Sequence, residues 1–263
     1  MYQLNQIPSE AKIKKSLRRI IFGKNVFCPE CRFKQVVRYE DRYRCRRCRC
    51  KFSLLSHTWL KSMKLPCQVW WMVLWCWTNQ IPVKQSSTLT ELSGKAVRHW
   101  YGQFRSHLPP NTVVLEHLVQ LDEAYFKQRA LLMGKQPGTR RLAFTMLTQS
   151  SIQRQHARWF LQQYVKPGSQ LNTYGSQLYK NMERWWPVTH KVDIHKKWEF
   201  ELTSEIEGTF GNLRTFIRRM YHHTSPEHLP EYVGEFCYRF SSPETFKNPL
   251  SYLKKSLRLV PGR

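Results

Sequence analysis

The chain has 263 residues, 41% of them hydrophobic and 14% aromatic, which suits a folded protein with a full core and excludes a disordered tail. Lys and Arg number 43 against 18 Asp and Glu, a net charge of +25 that argues against an ordinary metabolic enzyme and for a polyanionic partner. The longest apolar run, Val69 to Trp77, falls far short of the ~20 residues of a spanning helix.

The opening Met1-Tyr2-Gln3-Leu4-Asn5-Gln6 lacks the apolar core of a signal peptide, so a cytoplasmic, nucleoid-associated location is expected. In such a reducing compartment the eight cysteines suggest metal before disulfides. Charge is concentrated early: residues 1–65 carry 17 Lys or Arg against four acids. Ser9 to Ile21 reads as a helix, with Ile13, Leu17, Ile20 and Ile21 on one stripe. Lys12, Lys14, Lys15, Arg18 and Arg19 cover its other faces, as a solvated surface or as phosphate contacts. Cys28-Pro-Glu-Cys31 and Cys45-Arg-Arg-Cys48 follow, 13 residues apart. Each pair can form a knuckle that offers two thiolates to one tetrahedral zinc, so Cys28, Cys31, Cys45 and Cys48 form a candidate zinc ribbon. The alternative is four reduced cysteines in a core. Cys50 is a spare thiol, since the spacing selects Cys48. Val36, Val37 and Tyr39 form a strand, Glu40-Asp41 a turn and Tyr43 the return. Arg44, Arg46, Arg47 and Arg49 crowd the second knuckle and are candidate DNA contacts.

Residues 66–110 read as a helical DNA-binding segment. Pro66 to Thr78 holds Trp70, Trp71, Trp75 and Trp77, a density that suits core packing more than base stacking. Helices over Val83 to Leu92 and from Ser93-Gly94 through Phe104 fit a helix-turn-helix, with Lys95 and Arg98 facing DNA from the second. Pro109-Pro110 marks a boundary. Residues 111–263 then read as strands over Val113 to Leu121, Arg141 to Leu147, Gln170 to Tyr174 and Val188 to Ile194, with a further element over Trp159 to Val165. Helices follow over Ser204 to Tyr221 and from Ser225-Pro226 to Phe240. Strands flanked by helices give an α/β fold class, α+β for the whole chain.

Only three aspartates exist: Asp41, Asp122 and Asp193. Asp122 closes an apolar strand in Leu121-Asp122-Glu123-Ala124-Tyr125-Phe126, with Glu123 turned to the opposite face. Glu207, Gly211, Arg214 and Arg218 share one stripe of their helix, a carboxylate and two guanidiniums suited to metal and phosphate. Ser204-x-x-Glu207 also reads as a capping box, with Glu207 bonding a backbone N–H. His190, His195, His222 and His223 lack ribbon spacing and read as surface or DNA-contacting histidines.

The domain order, the segments Leu121 to Phe126 and Thr173-Tyr174-Gly175-Ser176, and the closing Glu205-Ile206-Glu207-Gly208 and Asn212 to His223 together resemble one family. It is the insertion-sequence transposases with an N-terminal zinc ribbon and an RNase-H-like core, the group related to eukaryotic Merlin elements. The resemblance spans roughly residues 10 to 240 and implies a DDE mechanism with two Mg²⁺ or Mn²⁺ ions held by carboxylates. It implies Asp122 as first acid and Glu207 as third, both metal ligands, with Glu205 in reserve. Tyr174 stands where the family has its second Asp, and a phenol with a pKa near 10 does not do a carboxylate's work for two cations. Asp193 is the remaining aspartate near that place. The resemblance further implies double-stranded DNA as partner (element terminal repeats and target), and a homodimer or higher multimer on DNA. The expected function is a transposase, impaired at Tyr174; the alternatives are an inactive transposase-derived DNA-binding protein and a zinc-ribbon transcription regulator.

Overall fold

The computed structural model describes residues 7–110, 112–126, 128–193, 202–222 and 224–259. Ile194, His195 and His223, named above, lie outside the described residues. The chain forms two units, residues 1–109 with 244–263, and residues 110–243. No helix among the described residues is long and apolar enough to cross a membrane.

The first unit opens with α1 (Glu10–Phe22), which buries Ile13, Leu17, Ile21 and Phe22 while its lysines and arginines stay outside. Ile20 is only half-buried. A three-stranded antiparallel sheet follows: β1 (Val36–Tyr39), β2 (Arg42–Cys45) and β3 (Lys51–Ser53). The turn at Glu40 takes a left-handed φ of 52°, which joins β1 to β2 in two residues. β3 adds a strand that the sequence reading lacks; its three residues are too few to show a period. Phe52, buried on β3, stacks on Tyr43 of β2 with ring centroids 5.4 Å apart, and Phe22 of α1 meets both Phe52 and Phe27. Aromatic contacts therefore hold the first helix to the ribbon.

Helices α2 (Cys67–Thr78), α3 (Val83–Thr90) and α4 (Gly94–Ser106) come next. Pro66 precedes α2 with an extended ψ of 139°, and the Ser93 side chain caps α4 by accepting the Ala96 N–H. Tyr101 of α4 hydrogen-bonds the Ile81 carbonyl at 2.8 Å and the Ser86 hydroxyl at 2.5 Å, fixing α4 against α3. Trp70 and Trp77 are fully buried, so the tryptophan-rich helix is core. A short C-terminal helix, α8 (Pro249–Ser256), closes this unit. Tyr252 lies edge-on to Trp77 at 5.0 Å, and its hydroxyl donates to the Phe104 carbonyl at 2.9 Å. The sequence reading attaches this stretch to the core domain; the aromatic pocket of α2 and α4 claims it instead.

The second unit is a five-stranded mixed sheet with helices on both faces. Its strands are β4 (Leu118–Phe126), β5 (Arg129–Lys135), β6 (Leu142–Met146), β7 (Gln170–Tyr174) and β8 (Thr189–Asp193), in the spatial order β6-β5-β4-β7-β8. The first three pair antiparallel, and β7 and β8 add parallel to β4. This is the strand order and direction of an RNase-H-like core, and the fold class is mixed α/β as expected. Between β6 and β7 runs α5 (Arg154–Tyr164); after β8 come α6 (Ser204–Tyr221) and α7 (Leu229–Ser241). One sheet face is apolar: Val119, Leu121, Leu132 and Leu171 meet Ala157, Phe160 and Leu161 of α5. The opposite face carries α6 and α7, whose Gly234 leaves 3.6 Å between an added Cβ and the Phe144 ring.

Three expectations for this unit differ from the structure. The first strand begins at Leu118 rather than Val113; Leu115 forms only a single bridge, to Val165. Asp122 therefore sits inside β4, opposite Met133, and not at the strand's end. The element over Trp159 to Val165 is the second half of a helix whose polar first turn, Arg154-Gln155-His156, hides its period.

Candidate active site and metal centre

The α6 face of the sheet builds one constellation. Alternation along β4 sends Gln120 and Asp122 to this face, and Leu121 and Glu123 to the other. Glu123 accordingly accepts a hydrogen bond from Tyr179, which lies in the α5-side core. The N-terminus of α6 is pinned from separate strands of the sheet. Gln120 of β4 accepts the Ile206 N–H at 3.0 Å. Lys135 of β5 pairs with Glu205, whose carboxylate also accepts the Gly138 N–H at 3.1 Å. Asn172 of β7 donates to the Leu202 carbonyl at 3.4 Å. With the helix start so fixed, Glu207 faces the β4 acid.

Asp122 and Glu207 are close enough to repel. The Asp122 carboxyl is pushed up to about 7, by burial first and then by the negative charges of Glu123 and Glu207. Its Oδ1 accepts the Glu123 N–H at 2.8 Å, and this bond and Arg214 pull the other way. Arg214 also lies 5.5 Å above the Phe126 ring. The capping-box alternative for Glu207 is not what forms. The N-cap is Thr203, Ser204 stands inside the helix, and Glu207 takes its bond from the Thr203 hydroxyl at 3.3 Å. Glu205, the reserve acid, is committed to Lys135 and Gly138.

Register locates Tyr174. Leu121 pairs with Thr173, so the next residues along the parallel strands are Asp122 and Tyr174, and Tyr174 pairs in turn with Asp193. Asp122, Tyr174 and Asp193 are thus level across three adjacent strands. A buried site with excess negative charge is one that a divalent cation relieves, and two carboxylates suit an oxygen-seeking ion. Tyr174 adds no carboxylate at the place between the two aspartates. His190, read above as surface or DNA-contacting, has an imidazole only 6% exposed on β8. Its Nε2 is 2.8 Å from the Thr173 hydroxyl, and burial lowers its pKa. His222 is exposed just beyond α6.

The second constellation is the ribbon. The Sγ atoms of Cys28, Cys31, Cys45 and Cys48 all lie within 4.8 Å of one another, with Cys28 to Cys48 and Cys31 to Cys45 each 3.5 Å. A tetrahedron of thiolates about 2.3 Å from zinc spaces its sulfurs about 3.8 Å apart, so the four fit one ion. The two knuckles repeat each other. Cys28 N–H bonds the Phe33 carbonyl and Cys45 N–H the Cys50 carbonyl, and Arg32 and Arg49 take matching left-handed φ of 59° and 60°. Burial opposes ionisation of Cys45, but the N–H groups of Cys48 and Arg47 and the neighbouring thiols outweigh it and bring that thiol down to about 6. Of the candidate DNA contacts, Arg44, Arg46, Arg47, Arg49, Lys95, Arg98, Arg214 and Arg218 are all exposed. A cationic groove that the sequence reading missed lies between α1 and the ribbon. It holds about 920 Å³ and is lined by Lys14, Lys15, Arg18, Lys24, Lys34 and Arg38, among others. Only the folded hairpin brings residues so far apart in sequence to one wall.

Residues 114–241 match the family model of the ISXO2-like transposase domain. Functionally curated proteins offer no match. Among solved structures, the chain is similar to one of the simian T-cell lymphotropic virus intasome in complex with PP2A regulatory subunit B56 gamma, at 11% identity and a TM-score of 0.39, over 64% of this chain and 67% of that one. It is also similar to the catalytic core domain of BIV integrase, at 9% identity and a TM-score of 0.33, over 47% of this chain and 82% of that one. With Asp122 on the central strand and Glu207 on the helix above it, residues 114–241 form a domain that matches the ISXO2-like transposase family.

Proposed function

We propose that this protein binds the ends of its own element as double-stranded DNA and acts on them through Asp122 and Glu207, with its cleavage and strand-transfer chemistry impaired by Tyr174. The observation that carries the reading is the face shared by Asp122, Glu207 and Tyr174, two acids and a phenol where three acids would meet. When bound, a pair of Mg²⁺ or Mn²⁺ ions supplies activation of water or a 3′-hydroxyl and stabilisation of the leaving oxygen. Asp122 and Glu207 would hold such ions. Arg214 and Arg218, one turn apart on the exposed side of α6, would take the phosphates that flank the scissile bond. Gln120, Lys135 and Asn172 are positioning residues, because they set where Glu207 stands.

DNA binding is assigned to the first unit, through the groove of α1 and the ribbon together with the exposed arginines of the second knuckle. The Cys28, Cys31, Cys45 and Cys48 set would carry structural zinc, and the working form on paired ends would be a dimer or larger.

The test compares the protein with Tyr174→Asp in a cleavage and strand-transfer assay. Substrates are DNA from both flanks of its gene, with Mg²⁺ or Mn²⁺, and binding is followed by mobility shift. Activity confined to Tyr174→Asp supports a transposase silenced at one ligand. Activity in the unchanged protein assigns the second acid elsewhere, to Asp193 first. If both proteins bind the ends and neither cuts, the second reading takes over, a transposase-derived DNA-binding protein; Tyr174 is the residue that favours it.

A further inference from the structure

Among the described residues, two groups of three or more metal-ligating side chains converge, and the four-cysteine set accounts for one of them. The other is Glu30, Cys50 and His57, whose ligand atoms also lie within 4.8 Å of one another. Glu30 Oε1 is 3.7 Å from His57 Nδ1. The three come from separate segments. Glu30 lies inside the first knuckle, Cys50 follows the second, and His57 lies beyond β3.

The repeat of the two knuckles shows why Cys50 is available. It occupies the place of Phe33 in the first knuckle, each residue accepting the N–H of that knuckle's leading cysteine through its carbonyl. Cys50 is not one of the four clustered sulfurs and instead groups with Glu30 and His57. Its Sγ makes a long contact of 3.8 Å with the Lys51 carbonyl and also meets the Cys28 thiol. Once Cys28 is engaged by the four-cysteine ion, the Cys50 thiol is left to serve a second ion beside it. One thiolate, one imidazole and one carboxylate are the three ligand types that zinc accepts, and a water completes four-coordination. Their charges also balance: a dication with one thiolate and one carboxylate is neutral, beside a four-thiolate zinc of net −2.

We propose that Glu30, Cys50 and His57 form a second, weaker zinc site next to the four-cysteine site, so that the ribbon binds two ions. The second ion ties both knuckles to the chain that leaves β3 and holds residues 54–66, which have no regular structure, against the ribbon. Three protein ligands with one thiolate hold zinc less tightly than four thiolates, so the two ions leave in order.

The test is metal content of the full chain after desalting, measured by inductively coupled plasma mass spectrometry on the unchanged protein, Cys50→Ser and His57→Ala. About two zinc per chain in the unchanged protein and about one in each variant is the expected result. Cobalt substitution gives an independent readout: the intense thiolate charge-transfer bands of the four-cysteine site should persist in both variants, which shows that the ribbon still folds. A graded chelator should remove one equivalent before the other from the unchanged protein and act in one step on the variants. One zinc in the unchanged protein, with content and chelation unaltered by the substitutions, overturns the proposal. None of these readouts depends on DNA binding or cleavage.

Discussion

Glu205 and Glu207 are two residues apart on one helix and do different work. Glu207 stays on the open face near Asp122, whereas Glu205 is spent on Lys135, a lysine whose side chain is only 6% exposed. The hydrogen bond from Lys135 holds the Glu205 carboxyl below its usual range, with the Gly138 N–H helping. A lowered carboxyl pKa contributes stability above the ordinary value of about 4.3, and that contribution disappears as pH falls through the lowered value. Glu205→Gln should therefore cost about 1–2 kcal/mol at neutral pH, a figure reduced because Glu205 is partly exposed, and should flatten the acid limb of the stability curve. Chemical denaturation at pH 7 and pH 3.5 checks this; equal losses at both would break the link to ionisation. The site was legible in part. Asp122 and Glu207 stood out through the resemblance, and Tyr174 could be placed because its segment kept Thr and Gly on either side. The clamp that sets Glu207 was hidden, since Lys135 and Glu205 are 70 residues apart and Gln120 and Ile206 are 86 apart.

At the scale of elements, the ribbon was readable because metal ligands obey local spacing, and α1 because its buried stripe has a helical period. β5 was not readable. Its residues from Ala130 to Lys135 are all buried, so neither alternation nor a polar face marks it as a strand. Gly134 is its tightest point: an added Cβ would come within 2.8 Å of Leu115 Cδ1 and 2.9 Å of the Phe160 ring. Gly134→Ala should destabilise the second unit by about 1–3 kcal/mol through overpacking, with a matching fall in melting temperature. A neutral result would mean that α5 retreats from the sheet at no cost. The groove between α1 and the ribbon makes a different kind of prediction. Replacing Lys15, Arg18 and Lys34 together with Gln should weaken DNA binding and reduce the slope of log K against log salt by about 0.9 for each phosphate no longer neutralised. An unchanged slope would move the DNA path to the arginines of the second knuckle.

On the scale of the whole molecule, the chain leaves its first unit at Pro109, builds the second, and returns at Glu244. The sequence hid this return because α8 is short and only Tyr252, Leu253 and Pro249 are buried on it. Ending the chain after Pro243 should loosen α2 and α4, where Trp77 and Phe104 would lose Phe246 and Tyr252, and leave the five-stranded sheet intact. Limited proteolysis with mass spectrometry would read this as new cleavage between residues 67 and 106; cuts confined to residues 110–243 would contradict it.

That return also sets a timetable for synthesis. A ribosome making this chain completes the sheet carrying Asp122 before it releases the last helix that the ribbon-bearing unit requires. Nascent chains can thus finish the five-stranded sheet while Trp77 and Phe104 of the first unit still wait for Tyr252.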